Sequence, residues 1–399
     1  MDSKSLMTEY VVLIGGGKSQ LPFISAAIGL GYKTIVFDRD LNCPGAELSD
    51  LFYAVSIRNV DELVSKCLKV SENHPICGVM TYSSHESPLR ASALICNQLG
   101  LPSFSSSSIE NVLDKNLMKS CFAKYDILTP DWLLTSDKSM ATEFHSQLSS
   151  RVIMKPSSGG VGSAGVSLIE KNNQGIEDKF QHAKDCSSDG FVIIEKFVKG
   201  REYSVDGIVI KDKPHTLSIS EKHNLGPEKG FVMSGFSTLN RYSNKTSNGL
   251  WSMIEGVAHS AVSALGLRNS LFSADVVVED GVVVVIECGV LLDCKIDRLL
   301  WFAGIDIYEM YIRLITGTYR NSVSSVVKDV DLRFIFAERQ GMLEIKEDVF
   351  DYVSLEWEKK DGDCVKPPTS ISDTVGWVIG QKENVSSLTN SNIQLFEIQ

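Results

Sequence analysis

The feature that most constrains the fold is a continuous apolar run at residues 10–14, which ends in the three glycines 15–17. Strands buried on both faces of a parallel sheet show this uninterrupted pattern. A helix pattern over residues 21–30 follows, and further strands are predicted at 34–37, 52–55 and 78–81. Strands alternating with helices predict a doubly wound parallel sheet over roughly residues 8–105, in an α/β (α+β) chain.

The rest of the chain is more mixed. A helix is predicted after the serine-rich stretch 103–108. It should begin near Ile109, because Ser107 and Glu110 have the spacing of a capping box. Residues 191–290 are mostly strand, with one helix near 250–265, and another helix is predicted over about 295–316. After Gly317, alternating strands and turns predict a small β-rich end domain.

Composition excludes several classes of protein. Hydrophobic residues are 43% and charged residues 22%, which is the balance of a globular chain and not of a disordered one. The net charge of -11, without a basic patch, argues against nucleic-acid binding. The nine cysteines are scattered and form no CxxC pair, which predicts reduced thiols. The sequence shows no signal-peptide pattern and no apolar run of ~18 residues, so we expect a cytoplasmic protein.

A glycine-rich segment, KPSSGGVGSAGV, occupies residues 155–166 directly after a predicted strand. Glycines let backbone N–H groups approach an anion closely and point at it together. A lysine beside such a loop, here Lys155, can hold phosphate oxygens as a point charge. The segment lacks the G-K-[ST] ending of a P-loop. It predicts a phosphate site, with a flexible surface loop as the alternative.

A second candidate is the segment FVIIEKFVKGREY at residues 191–203, where an apolar strand breaks and resumes. Such a backbone hinge can offer N–H and C=O groups to an adenine edge, with Phe197 and Val198 as apolar walls. Glu202 could accept hydrogen bonds from ribose hydroxyls. A β-hairpin with exposed charges is the alternative.

Two acids lie on neighbouring predicted strands. Asp275 interrupts an apolar run, Glu287 ends the next one, and the turn at 279–281 predicts that the two strands pair as a hairpin. An acid within an apolar strand is unfavourable to bury without a partner. Two acids across a hairpin are suitable oxygen ligands for Mg²⁺ bound to phosphates. Exposed acids at strand ends are the alternative.

In this order, the segments resemble the ATP-grasp superfamily, specifically the carboxylate–amine (or carboxylate–thiol) ligases of its biotin-carboxylase-like branch. The resemblance runs from Val11 to about Tyr308 and includes Asp114-Lys115 followed by Ile127-Leu128-Thr129-Pro130. It implies a ligase that uses ATP and Mg²⁺ to join a carboxylate to an amine through an acyl phosphate, releasing ADP and phosphate.

The resemblance also implies roles for individual residues. Asp275 and Glu287 would carry Mg²⁺. The residues implied to bind ATP are Lys115, Lys155, Ser158, Gly159, Gly160, Gly162, Ser163, Glu195, Lys196, Phe197, Val198 and Glu202. Substrate contacts are expected from Glu86, Lys222 and His223, with structural roles as the alternative for Glu86 and His223.

The chain departs from the family pattern at the second metal strand. The family usually reads Glu-x-Asn-x-Arg there, whereas Gly289 and Leu291 take the places of Asn and Arg in this chain. We hypothesise that Asp293 replaces the lost oxygen, as a metal ligand or a contact to the substrate amine. A helix cap is the alternative for Asp293. The lost charge would come from a catalytic Lys295 or Arg298.

The predicted domains are a Rossmann-like domain (1–108), a two-lobed ATP-grasp domain (109–318, lobes about 116–195 and 196–318) and a C-terminal β-rich domain (319–399). The expected partners are a small-molecule carboxylate and amine, with no nucleic acid and no membrane. A homodimer is left open.

Two other functions remain open. A nicotinamide-dependent oxidoreductase would use the glycines at 15–17 and Asp38, but the G-x-G-x-x-G fingerprint fails at Gln20, and Pro22 enters the first helix. A catalytically degenerate ATP-binding protein would follow if the changes at Gly289 and Leu291 removed catalysis.

Overall fold

The structure is a computed structural model that describes residues 8–159, 164–172, 175–229, 231–241, 248–320, 322–326, 328–346, 353–390 and 396–398. Among the described residues, none of the helices combines the length and the apolar composition of a membrane span.

The N-terminal part contains the predicted parallel sheet. Its strands are β1 (Tyr10–Ile14), β2 (Lys33–Asp38), β3 (Leu51–Ala54) and β4 (Ile76–Met80), in the order β3-β2-β1-β4. The helices are α1 (Leu21–Gly29), α2 (Pro44–Leu48), α3 (Val60–Ser71) and α4 (Glu86–Leu99). Val12 and Ile14 pack with residues of α3 and α4, whereas Val11 and Leu13 pack on the opposite face with Phe23 of α1. Burial on both faces explains why β1 is apolar throughout.

The glycine turn after β1 is filled by the protein's own residues. Gly16 donates its N–H to Asp38 Oδ2 at 2.9 Å and accepts at its carbonyl from Gly45 N–H at 2.8 Å. A Cβ atom at Gly16 would lie 2.4 Å from Cys43 Sγ, so no space remains above this residue. Asp38, the acid that would bind the ribose of a dinucleotide, already accepts a hydrogen bond from the turn.

We therefore expect no dinucleotide binding at this turn. A titration followed by NADH fluorescence should show no saturable signal up to about 1 mM, for NADH and for NADPH. Saturable binding at lower concentration would contradict this account of the turn and favour the oxidoreductase alternative.

Two helices lead into the next sheet. They are α5 (Ser106–Leu113) and α6 (Lys115–Lys124). The predicted start of α5 near Ile109 was wrong, because the Ser105 side chain accepts the Ser108 N–H and begins the helix a turn earlier.

The small lobe is an antiparallel sheet in the order β5-β8-β6-β7. Its elements are β5 (Trp132–Thr135), α7 (Lys138–Leu148), β6 (Val152–Pro156), β7 (Ser167–Ile169), α8 (Ile176–Asp185) and β8 (Val192–Lys196).

The large sheet has eight strands within the described residues, in the order β13-β12-β9-β10-β11-β14-β18-β16. These are β9 (Arg201–Ile210), β10 (Lys213–Asn224), β11 (Met233–Thr238), β12 (Ser270–Glu279), β13 (Val282–Gly289), β14 (Val330–Ile335), β16 (Val353–Trp357) and β18 (Gly376–Gln381). Helix α9 (Asn248–Ala264) packs on one face. The predicted hairpin is β12–β13, with Asp275 directly opposite Glu287.

The C-terminal part shares this sheet. Strands β14, β16 and β18 extend it, whereas β15 (Gly341–Ile345), β17 (Cys364–Val365) and β19 (Phe396–Ile398) form a separate sheet, and α12 is Lys382–Asn390. The large sheet includes strands from both sides of residues 318 and 319, where the sequence predicts a domain boundary. This boundary remains a prediction. The single helix expected over 295–316 is instead α10 (Ile296–Phe302) and α11 (Ile307–Ile315), interrupted at Gly304 with φ of 93°.

Candidate active site

A cavity of about 580 Å³ lies between the small-lobe sheet and the large sheet. Most of the residues predicted from the sequence line it: Lys115, Lys155, Glu195, Lys196, Phe197, Val198, Glu202, Lys222, His223, Asp275, Glu287 and Asp293. Gly160, Gly162 and Ser163 lie outside the described residues.

The first cation of the cleft comes from the start of α6. Asp114 caps this helix by accepting the N–H groups of Asn116 and Leu117 at 2.8 and 2.9 Å, which fixes the position of Lys115. The Lys115 Nζ atom lies 3.6 Å from Glu287 Oε2, and this positive charge lowers the pKa of Glu287 to about 2. Glu287 is therefore ionised and faces the cleft.

Two buried lysines share one carboxylate at the hinge. Lys155 on β6 lies 2.6 Å from Glu195 Oε1, and Lys119 on α6 lies 2.8 Å from Glu195 Oε2. Burial opposes ionisation of Glu195, but the two lysines outweigh it and lower its pKa. Sequence reasoning missed Lys119, although it lies four residues after Lys115 and so on the same helix face.

A third lysine lies among the acids of the large sheet. Lys222 Nζ is 2.6 Å from Asp275 Oδ2, 3.0 Å from Asp293 Oδ2 and 3.3 Å from Glu202 Oε1. Burial opposes its charge, but Asp275 and Asp293 outweigh burial and raise the pKa of Lys222. Glu202, expected at a ribose, thus lies beside the cation in this structure.

The acids retain atoms that could bind a metal ion. Asp275 Oδ1 is buried and has no hydrogen-bond partner among the described residues, and Glu287 lies directly opposite on β13. No group of three or more His, Cys, Asp or Glu residues in the described part of the chain is arranged to hold a metal alone. Two carboxylates fit Mg²⁺ whose other ligands are phosphate oxygens and water.

Asp293 belongs to this cluster and does not cap α10. Its Oδ1 accepts the Cys294 N–H at 2.7 Å, whereas the N-cap position of α10 is Lys295. Its own N–H donates to Oδ1 of Asp206, a fully buried acid that sequence reasoning missed. Asp206 interrupts the apolar run of β9, the same signal that singled out Asp275.

The two expected catalytic cations, Lys295 and Arg298, lie outside this cavity, and their catalytic role stays a prediction. Lys295 has a left-handed backbone with φ of 63°, and its Nζ lies 2.5 Å from Glu358 and 5.6 Å from the Trp377 ring centroid. Arg298 pairs with Asp297 at 3.6 Å. Neither lines the cavity, because each is directed to partners outside it.

Glu86 and His223 have local partners. Glu86 is the first residue of α4, pairs with Arg90 at 2.7 Å and accepts the Gly159 N–H at 3.2 Å. It therefore contacts the glycine-rich segment and does not line the cavity. His223 hydrogen-bonds through Nε2 to Ser237 Oγ at 2.8 Å, and burial lowers its pKa. This bond is compatible with the structural role left open for His223.

The start of the glycine-rich segment is tied down by Asp189, which precedes β8. Its Oδ1 accepts from Ser157 Oγ at 2.5 Å and from Phe191 N–H at 2.9 Å. Ser158 Oγ lies 2.8 Å from Ser188 Oγ, and Gly159 adopts φ of 76°, which favours glycine. Residues 157–159 are therefore held in place where the chain leaves β6.

Asp189→Ala should weaken MgATP binding about fivefold, because the lost charge-assisted hydrogen bonds free the base of the loop. Isothermal titration calorimetry measures this. The matched control is Asp185→Ala on α8, whose carboxylate accepts from Gln181. Equal affinity of the two variants would contradict the anchoring role.

Comparisons with known proteins find similarity in one segment of the sequence and in the fold. A family model described as the ATP-grasp domain matches residues 112–289. No curated protein matches in sequence. Residues 112–289 are therefore similar in sequence to ATP-grasp domains.

Among solved structures, an L-amino acid ligase from Bacillus licheniformis superposes with a TM-score of 0.77 and 18% identity, over 98% of each chain. A phosphoribosylglycinamide synthetase from Anaerococcus prevotii superposes with a TM-score of 0.74 and 19% identity, over 98% of this chain and 99% of that one. A third structure is the biotin carboxylase domain of the Hydrogenobacter thermophilus 2-oxoglutarate carboxylase, in complex with MgADP, ADP and bicarbonate. It superposes with a TM-score of 0.75 and 15% identity, over 98% of this chain and 91% of that one. These likenesses show that the fold extends over nearly the whole chain.

Proposed function

We propose that this chain is an ATP-dependent ligase that joins a carboxylate to an amine and releases ADP and phosphate. The observation that carries the proposal is the cleft itself. It places Lys115, Lys155 and Lys222 around the Asp275–Glu287 pair, between the two lobes of an ATP-grasp domain. The similarity to ligase structures supports the same reaction class.

We infer that the adenine ring binds at the hinge after β8. The Lys196 and Phe197 N–H groups are already bonded to the carbonyls of Asp131 and Arg151 at 2.9 Å each. Val198 N–H has no such partner among the described residues and is the donor left for an adenine edge. Ile153, Val277 and Ile286 supply the apolar walls of the same cavity.

The phosphates would then extend from the hinge towards Lys155, Lys115 and Lys222. Asp275 Oδ1 and Glu287 would hold Mg²⁺, which neutralises phosphate charge when bound. Asp293 would contribute a further oxygen or receive the substrate amine.

In the proposed reaction, a carboxylate oxygen bonds to the terminal phosphorus of ATP and ADP leaves. The amine nitrogen then bonds to the acyl carbon and phosphate leaves. The three lysines stabilise charge on the transferred phosphoryl group. Exclusion of water from the cleft would protect the acyl phosphate from hydrolysis.

A second candidate is a nucleotide-binding protein without ligase activity. Gly289 offers no side-chain ligand, and its place opposite Ser273 leaves a Cβ only 2.9 Å from Ser273 Oγ. Leu291 supplies no charge, and Lys295 and Arg298 are engaged outside the cavity. This candidate predicts MgATP binding without turnover.

A screen for ADP release over pairs of amino acids tests the proposal. We expect ADP from a small number of pairs, dependent on both partners and abolished in Glu287→Gln. MgATP binding with no ADP from any mixture would favour the second candidate. Absence of MgATP binding would contradict both.

A further inference from the structure

We propose that Lys119 is a positioning residue for the nucleotide: it holds Glu195 from helix α6, on the large-sheet side of the hinge, so that Glu195 presents Lys155 to the phosphates. This inference rests on the proposed nucleotide cleft. It does not require that the chain be an active ligase.

Lys119 is placed by three contacts and not by solvent. The residue is only 1% exposed. Its Nζ donates to Thr129 Oγ1 at 3.0 Å, contacts Glu195 Oε2 at 2.8 Å as an ion pair, and lies 5.9 Å from the Trp132 ring centroid. A buried ammonium needs such partners, because desolvation penalises its charge.

The Lys119–Glu195 pair joins helix α6, which packs on the large sheet, to the small-lobe sheet. Helix α6 is fastened to the large sheet, since Met118 Sδ accepts the Cys288 N–H at 3.3 Å and Phe122 packs in the core beneath α9. Glu195 belongs to β8, which pairs with β5 and β6 of the small lobe. The ion pair therefore fixes the hinge strand relative to the elements that carry Glu287.

The charges explain why a second lysine is needed. A lone Lys155–Glu195 pair would be neutral and would hold the ammonium against the carboxylate. With Lys119, two ammonium groups share one carboxylate, so this group of three residues carries one net positive charge, and Lys155 lines the cleft. Burial lowers the pKa of Lys119, the neighbouring Lys155 adds to this effect, and Glu195 opposes it. A phosphate group is the complementary ligand.

The test is a double-mutant cycle on MgADP affinity, measured by calorimetry with the full chain. We expect Lys119→Met to weaken binding at least about tenfold in the wild-type background, and less than about twofold in a Glu195→Gln background, because Lys119 acts through that carboxylate. Lys124→Met is the matched control. Lys124 lies on the same helix, where its ammonium is 5.2 Å from the Tyr125 ring centroid. The Lys124→Met variant should bind MgADP with wild-type affinity.

Thr129→Val is a second variant that keeps both charges and removes the hydrogen bond to Lys119. It should weaken binding about threefold, and it carries the test if Lys119→Met does not fold. Unchanged affinity in the folded variants, or equal effects of Lys119→Met in both backgrounds, would overturn the inference. If the wild type binds MgADP but never releases ADP from ATP, only the proposed ligase function falls. If the wild type binds no MgADP, both fall.

Discussion

Lys155→Met should weaken MgATP binding at least about thirtyfold, which corresponds to about 2 kcal/mol of lost charge-assisted bonding. Lys155 is only 6% exposed, so water cannot replace its ammonium. Its contact with Glu195 at 2.6 Å directs it into the cleft, where the phosphates would lie. Calorimetry gives the affinity, and the ADP-release rate should fall with it.

The control is Lys213→Met, an exposed lysine at the start of β10 that does not line the cavity. This variant should bind MgATP with wild-type affinity. If Lys155→Met also kept its affinity and turnover, Lys155 would have to be removed from the nucleotide site.

Asp293→Asn should reduce ADP release at least about tenfold and raise the Mg²⁺ concentration needed for half-maximal rate. The substitution keeps the size of the side chain and removes the negative charge that faces Lys222 at 3.0 Å. Charged hydrogen-bonding groups contribute about 1.5–3 kcal/mol in such sites, which sets the expected scale. Glu287→Gln, in the same assay, should abolish the Mg²⁺-dependent rate.

Asp306→Asn is the matched control, because Asp306 caps α11 through the Glu309 N–H and asparagine caps equally well. It should leave the rate unchanged. Full activity and unchanged Mg²⁺ dependence in Asp293→Asn would refute the hypothesis that Asp293 replaces the oxygen ligand lost at Gly289. If only Glu287→Gln lost activity and Mg²⁺ dependence, Glu287 would be the essential acid and Asp293 would not.

The sequence predicted those parts of the site that depend on local pattern. Apolar runs located the strands, and the turn at 279–281 was sufficient to place Asp275 opposite Glu287. Lys155, which lines the cavity, was a candidate because it adjoins a glycine-rich segment. In each case, neighbouring residues carried the information.

The parts that sequence reasoning missed depend on distant contacts. Lys119 has the appearance of any polar residue on a helix, and only the arrival of β8 buries it against Glu195. The ion pair of Lys295 could not be predicted, because a left-handed backbone turns the chain before α10 and the ammonium contacts Glu358 on a later segment. Neither the turn direction nor the distant acid is evident in the residues around position 295.

The most direct test of the proposed function follows oxygen from the carboxylate. The chain is incubated with MgATP, hydroxylamine as the acceptor and amino acids labelled with ¹⁸O in the carboxylate, and the released phosphate is analysed by mass spectrometry. An acyl-phosphate route predicts hydroxamate, ADP and phosphate that carries one ¹⁸O atom, because the carboxylate oxygen bonded to phosphorus leaves with the phosphate. Unlabelled phosphate, or AMP in place of ADP, would contradict the proposed function.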